Sequence, residues 1–282
     1  MLNFTDKKIA EIPVVVLDTE TTGLHSGLGN RMVEIAAVRF ENWEEVGQFT
    51  HLLQPDRRME PAASRVNGIA DEDLARAPRF ADILPEFLTF IDGALLAAHN
   101  ASFDADFLGA ELSIAGFGRE IPPSQPFLPN PWVCTLLLAR RFFYFGQNNL
   151  GHVASRLGVR VGRAHRALSD VYTTAEVLKR MTRHLEAQRI MTAADLLYAQ
   201  GGPIYTPRPA SVSLPEPLAT AVRQKSSLTI IYAGPEGPTE RLITPRYATQ
   251  YEGRTYLIAY CHLRQDQRTF RLDLIDRAWP AV

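Results

Sequence analysis

The sequence predicts an α/β protein: a mixed sheet flanked by helices over residues 1–185, followed by a small all-β region. Three observations carry this. Two all-apolar runs, Val14-Val15-Val16-Leu17 and Ala94-Leu95-Leu96-Ala97-Ala98, are bounded by polar turns, as fully buried strands are. Strand-like runs alternate with helical spacing up to about residue 185, and the second and third of them read as antiparallel neighbours joined by a short turn. From Pro215 onward, short strand-like pieces are separated by turns such as Gly-Pro-Glu-Gly-Pro, the signature of a small barrel or sandwich.

The first strand ends in Asp18-Thr19-Glu20, and Thr21-Thr22-Gly23 turns out of it. A polar, glycine-containing loop covers 24–30. Residues 32–40 read as the second strand and 46–53 as the third, closed by Gln54-Pro55. Spacing then becomes helical: a short helix over 62–66, and a longer one over 80–91 with Ile83, Phe87 and Ile91 on one stripe. After the strand at 94–98, Ser102 is the expected N-cap of a helix running through Phe107, Leu108 and Leu112 to Gly116. That puts Asp104 in the first turn, where the helix dipole favours a carboxylate. Residues 119–131 are a proline-rich loop, and 132–140 read as a helix. The aromatic run 142–145 suits either base stacking or the packed end of that helix. A short helix is expected over 149–157, a basic loop over 159–166, and a helix from 167 to about 184. Residues 186–214 read as a linker with a short helix at 193–199. The second domain, 215–282, holds a helix at 218–224 and strands at 228–232, 241–244, 254–260 and 268–274.

Composition narrows the partners. With 282 residues there is room for two domains, and 46% hydrophobic with 22% charged residues is ordinary for a globular chain. The net charge of −1 provides no global attraction for a polyanion, so such a partner must meet a local patch or a metal. Cys134 and Cys261 form neither a CxxC pair nor a disulfide framework, which fits a reduced, cytoplasmic setting. The N-terminus lacks an apolar core after its charges and no run of 18 apolar residues occurs, so neither export nor a membrane span is expected.

Residues two apart on a strand share a face, so Asp18 and Glu20 aim at one point. Buried like charges repel, and a hard divalent cation with oxygen ligands relieves them. Alone, an Asp-x-Glu pair fits either a solvated strand end or a metal site. With Asp104, His165 and Asp170 the set matches phosphodiester hydrolysis by two metals: four carboxylates to hold two ions, and a histidine of near-neutral pKa to take the proton of the attacking water. Asp106 reads as a solvated helix acid and His99 as either structural or substrate-facing. His25, His51, His152, His184 and His262 read as surface residues, and Arg160, Arg163 and Arg166 as solvated or facing a phosphate backbone.

The segments LDTETTGL (17–24), AHNASFDADFL (98–108) and HRALSD (165–170) resemble, in order and spacing, the three motifs of the DnaQ-like DEDD exonucleases. The third has the histidine form, His165-x-Ala167-x-x-Asp170; the tyrosine branch would need tyrosine where Arg166 stands. Asn67-Gly68-Ile69, Ala98-His99-Asn100 and Asn149-Leu150 also fall where that family has similar residues. The resemblance covers about 12–185 and is nearest the proofreading-subunit type. It implies an RNase H-like fold and a 3′–5′ exonuclease that releases nucleoside monophosphates from a single-stranded 3′ end, DNA being favoured. It implies two divalent ions, Mg²⁺ or Mn²⁺, on Asp18, Glu20, Asp104 and Asp170, with His165 as general base and Glu20 beside the attacking water. Thr21, Thr22, Gly23 and Leu24 would then meet the 3′-terminal nucleotide, with Asn100 and Phe103 lining the same pocket. A DNA polymerase or repair complex is the implied partner. An exoribonuclease of the same branch, or a sensor that no longer cuts, are the rival readings.

Residues 215–278 resemble a WYL domain through Leu228-Thr229-Ile230-Ile231-Tyr232, Arg241 with Pro245, Tyr256-Leu257-Ile258-Ala259-Tyr260 and Arg268-Thr269-Phe270-Arg271-Leu272. The tryptophan of the naming triplet is Thr255, and the arginine expected near the end of the last motif is Leu274. This resemblance implies a small SH3-like β-barrel that binds nucleic acid or a nucleotide-like ligand. Arg241, Arg268 and Arg271 with Tyr256 would form its anion-and-stacking surface, or else a structural barrel whose arginines pair with Glu240 and Asp273.

Overall fold

The apolar run at the start of the chain is the middle strand of a five-stranded sheet in a computed structural model that describes residues 6–122, 124–162, 166–235 and 237–281. Strand β1 (Val14–Thr21) pairs antiparallel with β2 (Met32–Glu41), which pairs antiparallel with β3 (Glu44–Leu52). On its other side β1 pairs parallel with β4 (Leu95–Ala98), and β4 with β5 (Trp132–Cys134), giving the order β3-β2-β1-β4-β5. This is the expected mixed sheet.

Helices cover both faces, which is why β1 carries no polar alternation until its end. Val14 and Val16 pack in one cluster with Val171, Leu178 and Met181. Val15 and Leu17 pack in the other, with Phe80, Phe87, Phe107 and Leu112. Burying each such side chain contributes roughly 1.5–3 kcal/mol. The helices of this part are α1 (Pro61–Asn67), α2 (Asp71–Leu74), α3 (Phe80–Ile91), α4 (Ala101–Ile114), α5 (Thr135–Phe142), α6 (Leu150–Arg156), α7 (Ala167–Glu186) and α8 (Ala193–Ala199).

Two local expectations are corrected. Helix α4 starts at Ala101, and its N-cap is Asn100 in the left-handed region (φ 70°, ψ 47°), not Ser102. Asparagine tolerates that conformation better than other side chains, so the chain turns two residues earlier than the Ser-cap rule implies. Residues 132–134 are a strand, not the start of a helix. Trp132 donates from its backbone to Ile204 and from its indole to Thr206, both at 2.9–3.0 Å, and the Cys134 backbone donates to Gln200 Oε1 at 2.8 Å. A three-residue buried strand running straight into an apolar helix has no periodicity of its own. The aromatic run divides: Phe143 is buried and stacked on Phe145 at 5.2 Å, while Tyr144 is 98% exposed.

The chain forms two units, and the division does not follow chain order. The first takes residues up to Thr21, Met32–Gln54 and Pro61–Arg208, so α8 and the stretch to 208 belong with the mixed sheet. The second takes Thr22–Arg31, Pro55–Glu60 and residues from Pro209 onward. It contains α9 (Leu218–Gln224), β6 (Leu228–Gly234), β7 (Gly237–Tyr251), β8 (Arg254–Cys261), β9 (Asp266–Arg271) and β10 (Ile275–Pro280). All its pairs are antiparallel, in the order β10-β6-β7-β8-β9. The expected barrel is not closed: among the described residues β9 and β10 do not pair, so the structure shows an open antiparallel sheet. Strand β7 is 15 residues long and passes through Pro245 at a register shift, where a proline costs no ladder bond. Strand β10 escapes sequence reading because Asp276, Arg277 and Pro280 break its apolar pattern, as edge strands do.

Gly109, inside α4, is a close approach: a Cβ there would lie 2.1 Å from the Pro207 carbonyl oxygen. Glycine to alanine within a helix ordinarily gains roughly 0.8–1.0 kcal/mol. Here Gly109→Ala is expected to lose about 1–3 kcal/mol instead, because the obstacle is backbone. A urea midpoint at or above that of the parent protein would show that the 207–208 segment yields.

Candidate active site

The C-terminal end of β1 is where the helical cover stops. Val14 to Leu17 are buried, whereas Asp18 and Glu20 are half-buried with Thr19 buried between them. Thr19 points away from the pair, and it holds the third acid: Asp104 Oδ1 accepts from the Thr19 backbone at 3.0 Å and from its hydroxyl at 2.9 Å. Asp104 is buried in the first turn of α4. Asp170, half-buried in the first turn of α7, completes the group. Carboxylate oxygens of Asp18, Glu20 and Asp170 lie within 4.8 Å of one another. Three elements thus bring four expected acids toward one strand end. His165 and Arg163 lie outside the described residues.

The crowding is electrostatically costly. Asp18 is pushed well above the usual carboxylate range, first by burial and then by the charges of Asp104, Glu20, Asp170 and Glu34. Glu20 is raised to about 7 by burial, then Glu34 and Asp170, against a hydrogen bond from Asn67 and the charge of Arg166. Asp104 is raised to about 7 by burial, partly offset by the two bonds from Thr19. Clustered hard oxygen donors that resist ionisation together suit a divalent cation, which restores the ionised form. The donor set therefore fits a divalent metal.

Glu34 was not among the expected residues. It faces Glu20 across the β1–β2 ladder and is 3% exposed. Its two carboxylate oxygens accept from Arg166 Nη2 at 3.2 Å and from the Ala167 backbone at 3.3 Å, so it seats the first turn of α7. The signal was in the sequence: an acid inside the apolar run Met32-Val33-Glu34-Ile35-Ala36. Asn67 reaches the same end of β1, with Nδ2 3.4 Å from the Thr21 carbonyl. His99 is structural: Nδ1 meets Thr135 Oγ1 at 2.8 Å, Nε2 meets the Asn148 carbonyl at 2.9 Å, and burial lowers its pKa.

Of the residues expected at the 3′ terminus, Thr21 ends β1 and is buried. Thr22 is fully buried, with its hydroxyl donating to Asn30 Oδ1 at 3.1 Å and accepting from the Arg31 backbone at 3.0 Å. A Cβ on Gly23 would lie 2.7 Å from the Glu60 carboxylate and Asn30. Leu24 is 72% exposed, a large apolar side chain open to solvent among the described residues. Asn100 is exposed, and Phe103 is half-buried against Phe107 at 4.9 Å between ring centroids.

In the C-terminal sheet, a cavity of about 290 Å³ is lined by Arg241, Arg264, Arg268, Tyr232, Cys261, Thr269 and Phe270. It brings together Arg241 and Arg268 and adds Arg264, but excludes Arg271 and Tyr256. Arg271 pairs with Asp273, its Nη2 2.6 Å from Oδ2.

The raised acids fix the sign of the pH response. Folded carboxylates near 7 hold protons that the unfolded chain, titrating near 4, has released, so stability present below about 4 is lost as pH rises to about 7. The melting temperature of EDTA-treated protein is expected to fall between pH 5 and 8, and the gain on adding Mn²⁺ to grow over that interval. A flat profile without metal would contradict the clustering.

Comparison with known proteins agrees with this geometry. The family described as Exonuclease matches residues 15–178, and the WYL domain matches 214–279. DNA polymerase III subunit epsilon of Treponema pallidum (strain Nichols) is 38% identical over 176 residues, covering 61% of this chain and 78% of the relative. The Salmonella typhimurium protein of that name is 35% identical over 229 residues, covering 79% and 87%. Exonuclease X, solved in complex with 5′ overhanging duplex DNA, superposes with a TM-score of 0.52 at 28% identity, covering 67% of this chain and 99% of that one. The nuclease domain of 3′hExo, a DEDDh family member bound to rAMP, shares the fold at a TM-score of 0.53 and 18% identity, covering 62% and 93%. The chain therefore belongs to the DnaQ-like exonuclease family, a 3′–5′ exonuclease carrying a C-terminal WYL domain.

Proposed function

We propose that this enzyme shortens single-stranded DNA from its 3′ end with two divalent ions, Mg²⁺ or Mn²⁺, releasing nucleoside 5′-monophosphates. The observation that carries this reading is the convergence of the Asp18, Glu20 and Asp170 carboxylates within 4.8 Å. Asp18, Glu20, Asp104 and Asp170 would hold the ions, which would supply charge stabilisation for the attacking and leaving oxygens. Thr19 fixes one oxygen of Asp104, leaving the other for a ligand. Glu34 anchors α7 and with it Asp170. His165 takes the proton of the attacking water, and Glu20 lies beside that water. Residues 1–185 carry the chemistry, with Thr21 to Leu24, Asn100 and Phe103 as the seat of the terminal nucleotide and Leu24 against its base. The likeness to epsilon subunits supports a role beside a DNA polymerase.

The C-terminal domain, residues 215–282, binds the phosphate backbone of the strand at the Arg241, Arg264 and Arg268 cavity, where Tyr232 and Phe270 offer apolar surface.

End-labelled single-stranded DNA and RNA, incubated with Mg²⁺, Mn²⁺ or EDTA, test the activity: metal-dependent release of mononucleotides from DNA is expected, and faster release from RNA would move the enzyme to the exoribonuclease reading. Asp170→Asn is expected to abolish turnover with the fold intact, and His165→Ala to slow it about 10²–10⁴-fold; less than threefold for His165→Ala would remove it from the mechanism. For the C-terminal cavity, Arg264→Ala and Arg268→Ala are each expected to weaken oligonucleotide binding in EDTA and to reduce the salt slope by roughly 0.7 per lost phosphate contact. An unchanged slope would leave the cavity without a strand.

A further inference from the structure

We propose that the C-terminal sheet is a positioning wall for the loop that follows the catalytic strand, so that Thr269 and Gln267 set how the 3′-terminal nucleotide is held. The proposal rests on the reading above that Thr22 to Leu24 seat that nucleotide.

The second unit contains Thr22–Arg31 and Pro55–Glu60 together with the C-terminal sheet. The loop's own closure is at its base, where the Thr22 backbone donates to the Arg31 carbonyl at 2.9 Å and the Glu60 backbone to the Thr22 carbonyl at 3.2 Å. Its far end is held by β7, β8 and β9. Thr269 Oγ1 donates to the Leu28 carbonyl at 2.6 Å. Gln267 is 4% exposed; its Nε2 donates to the Gly29 carbonyl at 3.1 Å while its Oε1 accepts from Arg246 Nη1 at 3.2 Å. Arg246 in turn donates to the Asp56 carbonyl at 3.1 Å, and Tyr251 meets His25 Nδ1 at 3.2 Å.

The loop's glycines fit this wall. A Cβ on Gly27 would lie 2.9 Å from the Gln250 carbonyl oxygen, and one on Gly29 would lie 2.7 Å from Ile258 Cδ1. Gly29 also has φ 81°, a conformation side chains rarely adopt. Loop and sheet are therefore built to each other's surface; the Leu28 carbonyl is met by Thr269, and the Gly29 carbonyl is shared by Gln267 and Arg57, whose Nη1 donates at 2.7 Å. Thr22 to Leu24 are the loop's first residues, so a displacement of its far end is passed along the same loop to the seat.

A positioning role separates binding from chemistry. Thr269→Val removes the donor at nearly constant volume and, by stranding a carbonyl, is expected to raise KM for a single-stranded oligonucleotide on the order of tenfold. Its kcat should change less than twofold, with a small fall in melting temperature that does not track kcat, and Thr269→Ser should restore KM. Gly27→Ala, which pushes the loop off Gln250, should give the same split. Leu24→Ala is the separate check on the seat. If it raises KM while Thr269→Val and Gly27→Ala leave KM at the parent value, the wall is refuted and the seat stands. If Leu24→Ala leaves KM unchanged, the seat is misassigned and the proposal falls with it. Equal loss of kcat and melting temperature in Thr269→Val, without rescue by serine, would make the contact merely structural and overturn the proposal.

Discussion

Like charge crowded at the end of a buried strand is the constraint on which this protein is built. The sheet supplies the burial: β1 is covered on both faces up to Leu17, and the carboxylates begin where that cover ends. No single element could hold Asp18, Glu20, Asp104 and Asp170 together, because each would relax away from the others. The fold opposes this by anchoring three of them from behind. Thr19 grips Asp104 with two donors, Asn67 donates to Glu20, and the buried Glu34 ties α7 through Arg166 and Ala167. The anchors are ordinary hydrogen bonds of about 1 kcal/mol net. Their effect comes from acting on groups that would otherwise move apart.

Much of the architecture is legible because it rests on patterns of period two and 3.6 in well-bounded runs. The strands β1, β2 and β4 and the helices α3, α7 and α9 could be placed from apolar spacing alone. What escaped was shaped by tertiary contact. Strand β5 is three residues long and is made a strand by its bonds to Gln200 and Ile204. Strand β10 reads as polar because it lies at an edge. The cap of α4 depends on a left-handed asparagine, which a rule based on hydroxyl side chains passes over.

The site shows the same division. Asp18, Glu20, Asp104 and Asp170 are legible because they stand at the end of an apolar strand and in the first turns of two helices, places that spacing alone marks. Glu34 was hidden by its own surroundings, since an acid within an apolar strand reads as noise until its partners across 132 and 133 residues are seen. Arg264, in a turn after β8, joins Arg241 and Arg268 only through the sheet's pairing. Arg271 takes the alternative that the sequence had left open and pairs with its near neighbour Asp273.

The way the second unit gathers its pieces bears on the order in which the enzyme becomes functional. Synthesis supplies residues 22–31 and 55–60 early, and the strands that hold them come last. Such long sequence separations are slow to close, since loop entropy is lost before any contact repays it. The mixed sheet, by contrast, has all its strands and the partners that fix β5 once Ile204 has emerged. A ribosome-bound chain stopped before β7 would hold this loop without the strands that support it. In the order of synthesis, β7 and β9 are what complete the support of that loop.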